Sequence, residues 1–589
     1  MRTVVQALDE AAQSTGTGFR FIDESGTAKF FDYAAVARHA DRFGGAFQEL
    51  GLARGDRVAL VLANNSDFVF AFLGALCAGL VPVPIYPPAG LRKLDSYLAN
   101  TLHIVEKSGA KLLVADARVK RVMGEVRLRA GELGKVVGVE RIRESDVPIR
   151  RSDVALEDTC FLQFTSGSTA RPKGVIVSHE NLAANVKAFM EDGLQVTRHD
   201  SGVSWLPLYH DMGLIGFVLG PLYHQNTITF LSPLTFLKRP GRWLQTISMY
   251  GATVSFGPNF AYALCAKRLR EVDLEGLDLS TWRVAGCGAE PINAATLASF
   301  VSRFASVGFD ERALLPCYGM AEATLAVSFA PLGGGVRSET VDLDKLAEEG
   351  VAEPSSDAAN TLTIVNCGAT FAEHDVAAFD PDDAESETVL PDRRVGELRV
   401  RGPSVTRGYF AEPELTERAF AGGWLRTGDL GYLVRREVFV CGRTKELVII
   451  RGRNYFPQDL ERHAALVKGV RPGNVVAFGI HREDGERVVM AAETKLADPA
   501  ERCRLADRIR RSVQEATGVV LDEVVILDAG VLPKTSSGKL QRTQALELFE
   551  RGRLESRRSV RVRGSLDTAR VLAQSQIAYA RRALFGTRR

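Results

Sequence analysis

Thr165-Ser166-Gly167-Ser168-Thr169-Ala170-Arg171-Pro172-Lys173-Gly174 brings four hydroxyls, two glycines and a lysine into one short stretch. Glycine lets a backbone approach a ligand closely, and successive N–H groups can converge as an anion nest. Hydroxyls donate to phosphate oxygens, and a lysine adds a compact cation. The apolar run Cys160-Phe161-Leu162-Gln163-Phe164 before it reads as a buried strand, which makes the stretch a loop at a strand's end. Thr165, Ser166, Gly167, Ser168, Thr169 and Lys173 are therefore candidate ligands of a polyphosphate. The spacing is not that of a Walker P-loop, because Lys173 precedes the last glycine and Val175 follows it. Taken alone, the same ten residues also fit an exposed Ser/Gly turn.

A chain of 589 residues is expected to divide into two or more domains. Its 46% hydrophobic and 25% charged content is ordinary for a globular protein able to bury a large core. Residues 69–81 are uncharged but too short to span a bilayer, and Pro82, Pro84, Pro87 and Pro88 end any helix there, so a buried core helix is predicted. The first ten residues lack the apolar core of a signal peptide. Eight scattered cysteines without a C-x-x-C pair argue against a zinc site or disulfide framework. Together these predict a cytoplasmic protein with no integral membrane association. Residues 551–589 hold 11 Arg against Glu555 and Asp567, a net +9 on a chain whose total is only +2, so the remainder is acidic. Such a tail is read either as a surface for an acidic or polyanionic partner or as a solvated, disordered end. No nucleic-acid-binding module accompanies it, so nucleic acid is not an expected partner.

Strand-like runs such as Arg57-Val58-Ala59-Leu60-Val61-Leu62 and Lys111-Leu112-Leu113-Val114-Ala115 alternate with amphipathic helical patterns, which predicts α/β layers with largely parallel sheets. The acidic segment 377–394, with Pro381 and Pro391, reads as a surface loop. Gly396-Glu397-Leu398-Arg399-Val400-Arg401 and Glu437-Val438-Phe439-Val440 alternate with period two and suggest a small β-barrel-like subdomain. Residues 446 to about 550 read as a smaller α+β unit.

Six further stretches join the glycine-rich loop. They are Ser204-Trp205-Leu206-Pro207-Leu208-Tyr209-His210-Asp211-Met212-Gly213, Gly286-Cys287-Gly288-Ala289-Glu290-Pro291 and Tyr318-Gly319-Met320-Ala321-Glu322-Ala323-Thr324, then Trp424-Leu425-Arg426-Thr427-Gly428-Asp429-Leu430-Gly431, Gly442-Arg443-Thr444-Lys445-Glu446-Leu447 and Leu532-Pro533-Lys534-Thr535-Ser536-Ser537-Gly538-Lys539-Leu540. Each alone is a weak signal; all seven in this order are specific. On them the chain resembles the acyl-adenylate-forming (AMP-binding) superfamily, which includes acyl-CoA synthetases, luciferases and the adenylation domains of nonribosomal peptide synthetases. Asn454-Tyr455-Phe456-Pro457-Gln458-Asp459-Leu460-Glu461 and the polar stretch 333–360 resemble the fatty acyl-AMP ligases within it, where an insertion at that place is held to disfavour CoA as acceptor.

The resemblance implies an adenylate-forming fold: a large N-terminal domain over 1–445, built of two α/β sheet subdomains and a small β-barrel, a mobile α+β domain over 446–550, and the basic tail over 551–589. It implies ATP and Mg²⁺ as cofactors, activation of a fatty acid to acyl-AMP, and transfer to the phosphopantetheine thiol of an acyl carrier protein or polyketide synthase carrier domain. Lys539 would bridge the reacting carboxylate and α-phosphate, and His210 would position them. Thr165 through Thr169 and Lys173 would hold phosphates, and Glu322 would help bind Mg²⁺. Asp429 would take both ribose hydroxyls, with Arg443 near ribose or phosphate and Ala289, Glu290, Tyr318, Gly319 and Met320 around the adenine. Lys445 matches the hinge. Ile215, Phe217, Phe256 and Gly257 are candidates for the acyl pocket. Arg557, Arg558, Arg561 and Arg563 could steer an acidic carrier. A fatty acyl-CoA ligase is the near alternative, and a catalytically silent nucleotide-binding scaffold the remote one.

Overall fold

The computed structural model describes residues 1–88, 94–165, 171–356, 361–383, 385–450, 453–482, 485–535 and 539–562. Among them the largest sheet has 15 strands. One half of it is mostly parallel, with the short neighbouring strands Thr227–Phe230, Ser201–Ser204, Val254–Gly257, Val284–Cys287 and Leu314–Gly319. Helices such as Gly241–Tyr250, Asn259–Arg268 and Ala294–Phe304 make the crossovers that parallel pairing requires. A second, four-stranded parallel sheet orders Val81–Pro84, Arg57–Val61, Ala110–Ala115 and Lys135–Gly138. The uncharged segment beside it is the helix Ser66–Cys77, capped by Asn65 and buried along its whole length after Ser66. That is the all-round apolar pattern of a core helix.

The other half of the large sheet is antiparallel: Thr361–Thr370, Glu437–Arg443, Trp424–Val434, Gly396–Arg401 and Asp375–Phe379. The expected barrel is therefore not a separate closed body. Strand Thr361–Thr370 pairs with Ala326–Phe329 on one side and Glu437–Arg443 on the other, joining both halves into one surface. Gly368 makes the passage possible: its φ is +76°, and a Cβ would lie 1.7 Å from the Phe329 carbonyl oxygen.

Two expected surface excursions carry regular structure. Within 333–360, Ser338–Asp342 is a strand paired with residues 361–365, and Leu343–Glu349 is a helix. Residues 377–379 belong to strand Asp375–Phe379 rather than to a loop, because Ala377, Ala378 and Phe379 are buried. Two apolar clusters draw only on residues 448–562. They pack against the sheet Val470–Arg482, Gly485–Thr494, Glu523–Asp528 and Val560–Val562, whose last strand extends beyond residue 550. All eight cysteines are free, and among the described residues no helix is long and apolar enough to cross a membrane.

Replacing Gly368 by alanine forces both a left-handed side chain and a backbone clash. It is expected to cost about 3 kcal/mol or more, read as a lowered Tm or loss of soluble protein; an unchanged melting curve would show that the strand passes this point another way.

Candidate active site

Cross-strand register puts Asp429 opposite Arg443. Arg443 Nε donates to Asp429 Oδ1 at 3.0 Å, and the Tyr318 hydroxyl donates to Oδ2 at 2.7 Å. Asp429 is buried, and its own N–H donates to Thr427 Oγ1 at 3.0 Å, which fixes the turn before it. Each carboxylate oxygen keeps a further acceptor direction, so two vicinal hydroxyls can still be taken. The Asp429 charge beside Arg443 raises the guanidinium above its ordinary value, keeping it cationic.

Lys539 arrives on a hairpin of the C-terminal unit. Its N–H donates to Thr535 Oγ1 at 3.0 Å, its carbonyl accepts the Thr535 N–H at 2.7 Å, and Lys534 bridges Leu540 across the turn. Burial lowers the Lys539 ammonium pKa; Asp211 and Glu290 oppose the shift. His210 Nδ1 lies 2.5 Å from Asp211 Oδ1. Burial would raise the Asp211 carboxyl, but His210 and Lys539 outweigh it and hold the group below its usual range. Glu290 accepts the Phe260 N–H at 2.7 Å, and its burial pushes its carboxyl up. The preceding Ala289 adopts φ +68°, a strained turn of the kind that clusters where a site must be aimed.

Thr165 ends strand Thr159–Thr165, and Lys173 faces it at the start of Lys173–Ser178. Lys173 is thus a strand residue rather than part of the loop proper. The Thr165 Oγ1 atom is buried and has no partner among the described residues. The Lys173 ammonium, 5.0 Å from the Tyr409 ring centre, is lowered by burial and by the charge of Lys445. An orphaned hydroxyl beside two mutually repelling cations is a seat for an anion. Ser166, Gly167, Ser168 and Thr169 lie outside the described residues, as do Ser536, Ser537, Gly538 and Arg563. Glu322 accepts the Tyr409 hydroxyl at 2.9 Å on Oε1. No cluster of three metal-ligating side chains occurs among the described residues. A Mg²⁺ there would rest on Glu322 and phosphate oxygens, which suits an ion that binds few carboxylates plus substrate phosphates.

All of these groups line one continuous cavity of about 3700 Å³, with Gly319, Met320 and Lys445 on its wall. Phe217 and Phe256 line an apolar arm, their ring centres 6.1 Å apart. Ile215 and Gly257 do not: Ile215 is core, and a Cβ on Gly257 would meet Ala261 and Trp243 instead. Adjacent strand residues face opposite sides, so Phe256 and Gly257 cannot share a pocket. Arg558 and Arg561 are engaged within their own unit, by Asp528 at 3.1 Å and Glu555 at 3.4 Å. Sequence reasoning missed Tyr409, which touches both Glu322 and Lys173, and Arg542, which grips Glu461 with Nε at 2.7 Å and Nη2 at 2.8 Å and also pairs with Glu446. Neither stands in a recognisable spacing.

With the Asp429–Arg443 pair, Lys173 and Lys539 all on the wall of one cavity, the chain belongs to the AMP-binding enzyme family, which matches residues 8–410. Within it, the chain is a fatty acyl-AMP ligase, an acyl-adenylate-forming enzyme. Residues 445–559 match the AMP domain of Disco-interacting protein 2-like proteins. The chain is 38% identical over 93% of its length to a Caulobacter vibrioides protein named for acyl-CoA synthetase activity, covering 96% of that protein. It is 35% identical over 84% of its length to the 4-hydroxyphenylalkanoate adenylyltransferase of Mycobacterium marinum, covering 82% of it. A solved fatty acyl-adenylate ligase from a study of the E. coli and L. pneumophila enzymes superimposes with a TM-score of 0.88 at 36% identity, over 94% of this chain and 98% of that one.

Asp429→Ala leaves the Tyr318 hydroxyl and the Arg443 charge without their partner and removes a ribose acceptor; the KM for nucleotide is expected to rise at least about tenfold. An unchanged KM would remove Asp429 from the site. Because Lys539 must be cationic and its pKa is depressed, its charge is lost as pH rises through that lowered value. The alkaline limb of kcat/KM, which reports the free enzyme, should fall below the ordinary lysine range, and Lys539→Arg should push the limb to higher pH while slowing the reaction.

Proposed function

We propose that the protein activates a fatty acid with ATP and Mg²⁺ and passes the acyl group to the phosphopantetheine thiol of a carrier protein. The observation that carries the first step is Lys539 among the charges of Asp211, Glu290 and the Asp429–Arg443 pair, on the wall of one cavity that Lys173, Phe217 and Phe256 also line. The acid's carboxylate, already ionised at neutral pH, attacks the α-phosphorus, and pyrophosphate leaves. No general base is needed. Catalysis is the alignment of two anions and the neutralisation of charge shared between them, which Lys539, Arg443 and Lys173 supply. His210, tied to Asp211, positions rather than transfers a proton. Bound Mg²⁺ would offset phosphate charge at Glu322.

Amino-acid activation is disfavoured because the Phe256–Pro258 stretch carries no aspartate to pair with an α-ammonium group. A carrier acceptor is supported by contacts of the 333–360 segment. Arg453 pairs with Asp344 at 3.3 Å and with Glu348, and Phe456 packs in one apolar cluster with Val341, Leu343 and Leu346. The segment thereby grips the residues that follow the hinge at Lys445. Relatives of 33% and 32% identity from Moorena producens and Teredinibacter turnerae are named medium-chain-fatty-acid–[acyl-carrier-protein] ligases. The name of the Caulobacter relative supports the second reading, CoA as acceptor. Eight free thiols suit action in a reducing compartment.

Purified protein with ATP, Mg²⁺ and a fatty-acid panel, with and without CoA, is expected to accumulate acyl-AMP and leave CoA unused by mass spectrometry. Prompt acyl-CoA formation would overturn the carrier reading. Arg453→Ala should loosen the grip and raise any trace of CoA use, whereas Lys539→Ala should reduce adenylation by about 10²-fold or more.

A further inference from the structure

Glu322 and Lys173 carry opposite charges on the wall of the same cavity, near enough for the carboxylate to act on the ammonium, yet no ion pair joins them among the described residues. Tyr409 contacts both. Its hydroxyl donates to Glu322 Oε1 at 2.9 Å, and the Lys173 ammonium lies over its ring, 5.0 Å from the centre. A tyrosine has a polar O–H tip and a ring whose face is negative, so one side chain can meet an anion and a cation at once. All three side chains are half-buried and line the cavity. Glu322 Oε2 takes no hydrogen bond among the described residues, so the carboxylate keeps an oxygen for a ligand.

The backbone around Tyr409 is fastened to both partners. The Phe410 N–H donates to the Gly174 carbonyl at 2.8 Å and the Ile176 N–H to the Gly408 carbonyl at 3.1 Å, so 408–410 runs beside the strand that begins at Lys173. Val175 and Tyr409 form an antiparallel bridge there. Toward the other partner, the Thr406 N–H donates to the Glu322 carbonyl at 2.9 Å. Two residues beyond Glu322, Thr324 adopts φ +68° and ψ −62°, and the Leu325 N–H donates to the Ala323 carbonyl at 2.8 Å. That is a γ-turn of the strained hand, an outlier for a β-branched residue. The Thr324 hydroxyl donates to the Ser404 carbonyl at 2.6 Å. Strain of this kind persists where surrounding contacts over-determine it, and here those contacts come from the same stretch that carries Tyr409.

We propose that Tyr409 is a positioning residue for the phosphate end of the nucleotide: its hydroxyl aims the Glu322 carboxylate, its ring seats the Lys173 ammonium, and the side chain keeps the two charges from closing on each other. The inference rests on the ATP-dependent reading above, in which Lys173 meets phosphate and Glu322 a divalent cation. Tyr409 acts through these two side chains and not on the reacting atoms. Its hydroxyl serves the metal through Glu322, and its ring serves the phosphates through Lys173.

The test is calorimetric binding of AMP, and of α,β-methylene-ATP with and without Mg²⁺, to the full-length protein and its variants. Tyr409→Phe keeps the ring and removes the hydroxyl. It is expected to raise the Kd of the analogue about tenfold in Mg²⁺ and by less than about twofold without it, as the loss of one hydrogen bond to a charged group would. The Kd of AMP, which lacks the outer phosphates, and the Tm should stay at their wild-type values. Tyr409→Leu, which also removes the ring, should weaken the analogue with or without Mg²⁺. Glu322→Gln should weaken it in Mg²⁺, and adding Tyr409→Phe to that variant should cost little more, because both act through one carboxylate. A merely structural role would move AMP binding and Tm together with the analogue. That result, a loss indifferent to Mg²⁺, unchanged binding in Tyr409→Phe, or fully additive effects of the pair would overturn this inference alone. If the wild-type protein binds neither AMP nor the analogue, the ATP-dependent reading falls and takes the inference with it.

Discussion

Cations must wait in a largely enclosed cavity before their anionic ligands arrive, and that requirement governs the rest of the molecule. An isolated buried ammonium would give up its proton rather than remain charged. Each cation here is therefore set against carboxylate: Lys539 near Asp211 and Glu290 and Lys173 near Glu322, from distant parts of the chain, and Arg443 on Asp429 of the adjacent strand. The balance is incomplete by design of the contacts. Asp429 and Glu322 are also engaged by the tyrosine hydroxyls of Tyr318 and Tyr409, so neither carboxylate is spent wholly on its cation. On the proposed reading, polyphosphate and fatty carboxylate complete what the protein leaves open.

Such a convergence needs a frame that brings far-separated residues to one place. Parallel strands do this by pointing their C-terminal ends the same way, so that the loops after residues 204, 257, 287 and 319 gather on one side. The antiparallel half contributes Asp429 and Arg443 from adjacent strands, and their opposition is a matter of register alone. A slip of one residue would send both to the other face. Because the two halves are one sheet through Thr361–Thr370, the ribose end and the acyl end of the cavity are held by a continuous hydrogen-bonded surface.

The seven sequence stretches lie where backbone and ligand meet, and glycine, lysine and carboxylate at fixed spacing are visible in a sequence because few other residue types can replace them. Nearly every described residue named from them reaches the cavity. What sequence could not show has a common cause. Tyr409 and Arg542 act through contacts with residues 87 and 81 positions away, set by tertiary packing rather than local pattern. Apolar runs announce burial but not direction, which is why Phe217 and Phe256 line the pocket while Ile215 and Gly257, from the same runs, do not. Acidity likewise misled at residues 377–379, where burial of the consecutive Ala377, Ala378 and Phe379 outweighed the flanking charges.

The junction after Lys445 shows why the position of Lys539 is conditional. Arg542, largely enclosed, pairs with Glu461 and Glu446 inside the C-terminal unit, and the group ties the helix that follows Lys539 to the rest of that unit. Beside it, Gln458 Oε1 and Asp459 Oδ2 are buried without partners among the described residues, and burial pushes the Asp459 carboxyl up to about 7. Both sit in the stretch that distinguishes fatty acyl-AMP ligases from their CoA-using relatives. An interface built only for permanence would have satisfied them, since each unpaired group costs about as much as a good hydrogen bond gains. A strong ion-pair grip next to unpaid polar burial is a balance between two opposing terms. On the proposed reading, a unit poised in that way leaves once the adenylate has formed, as a thiol acceptor needs if it is to reach the carbonyl that Lys539 had covered.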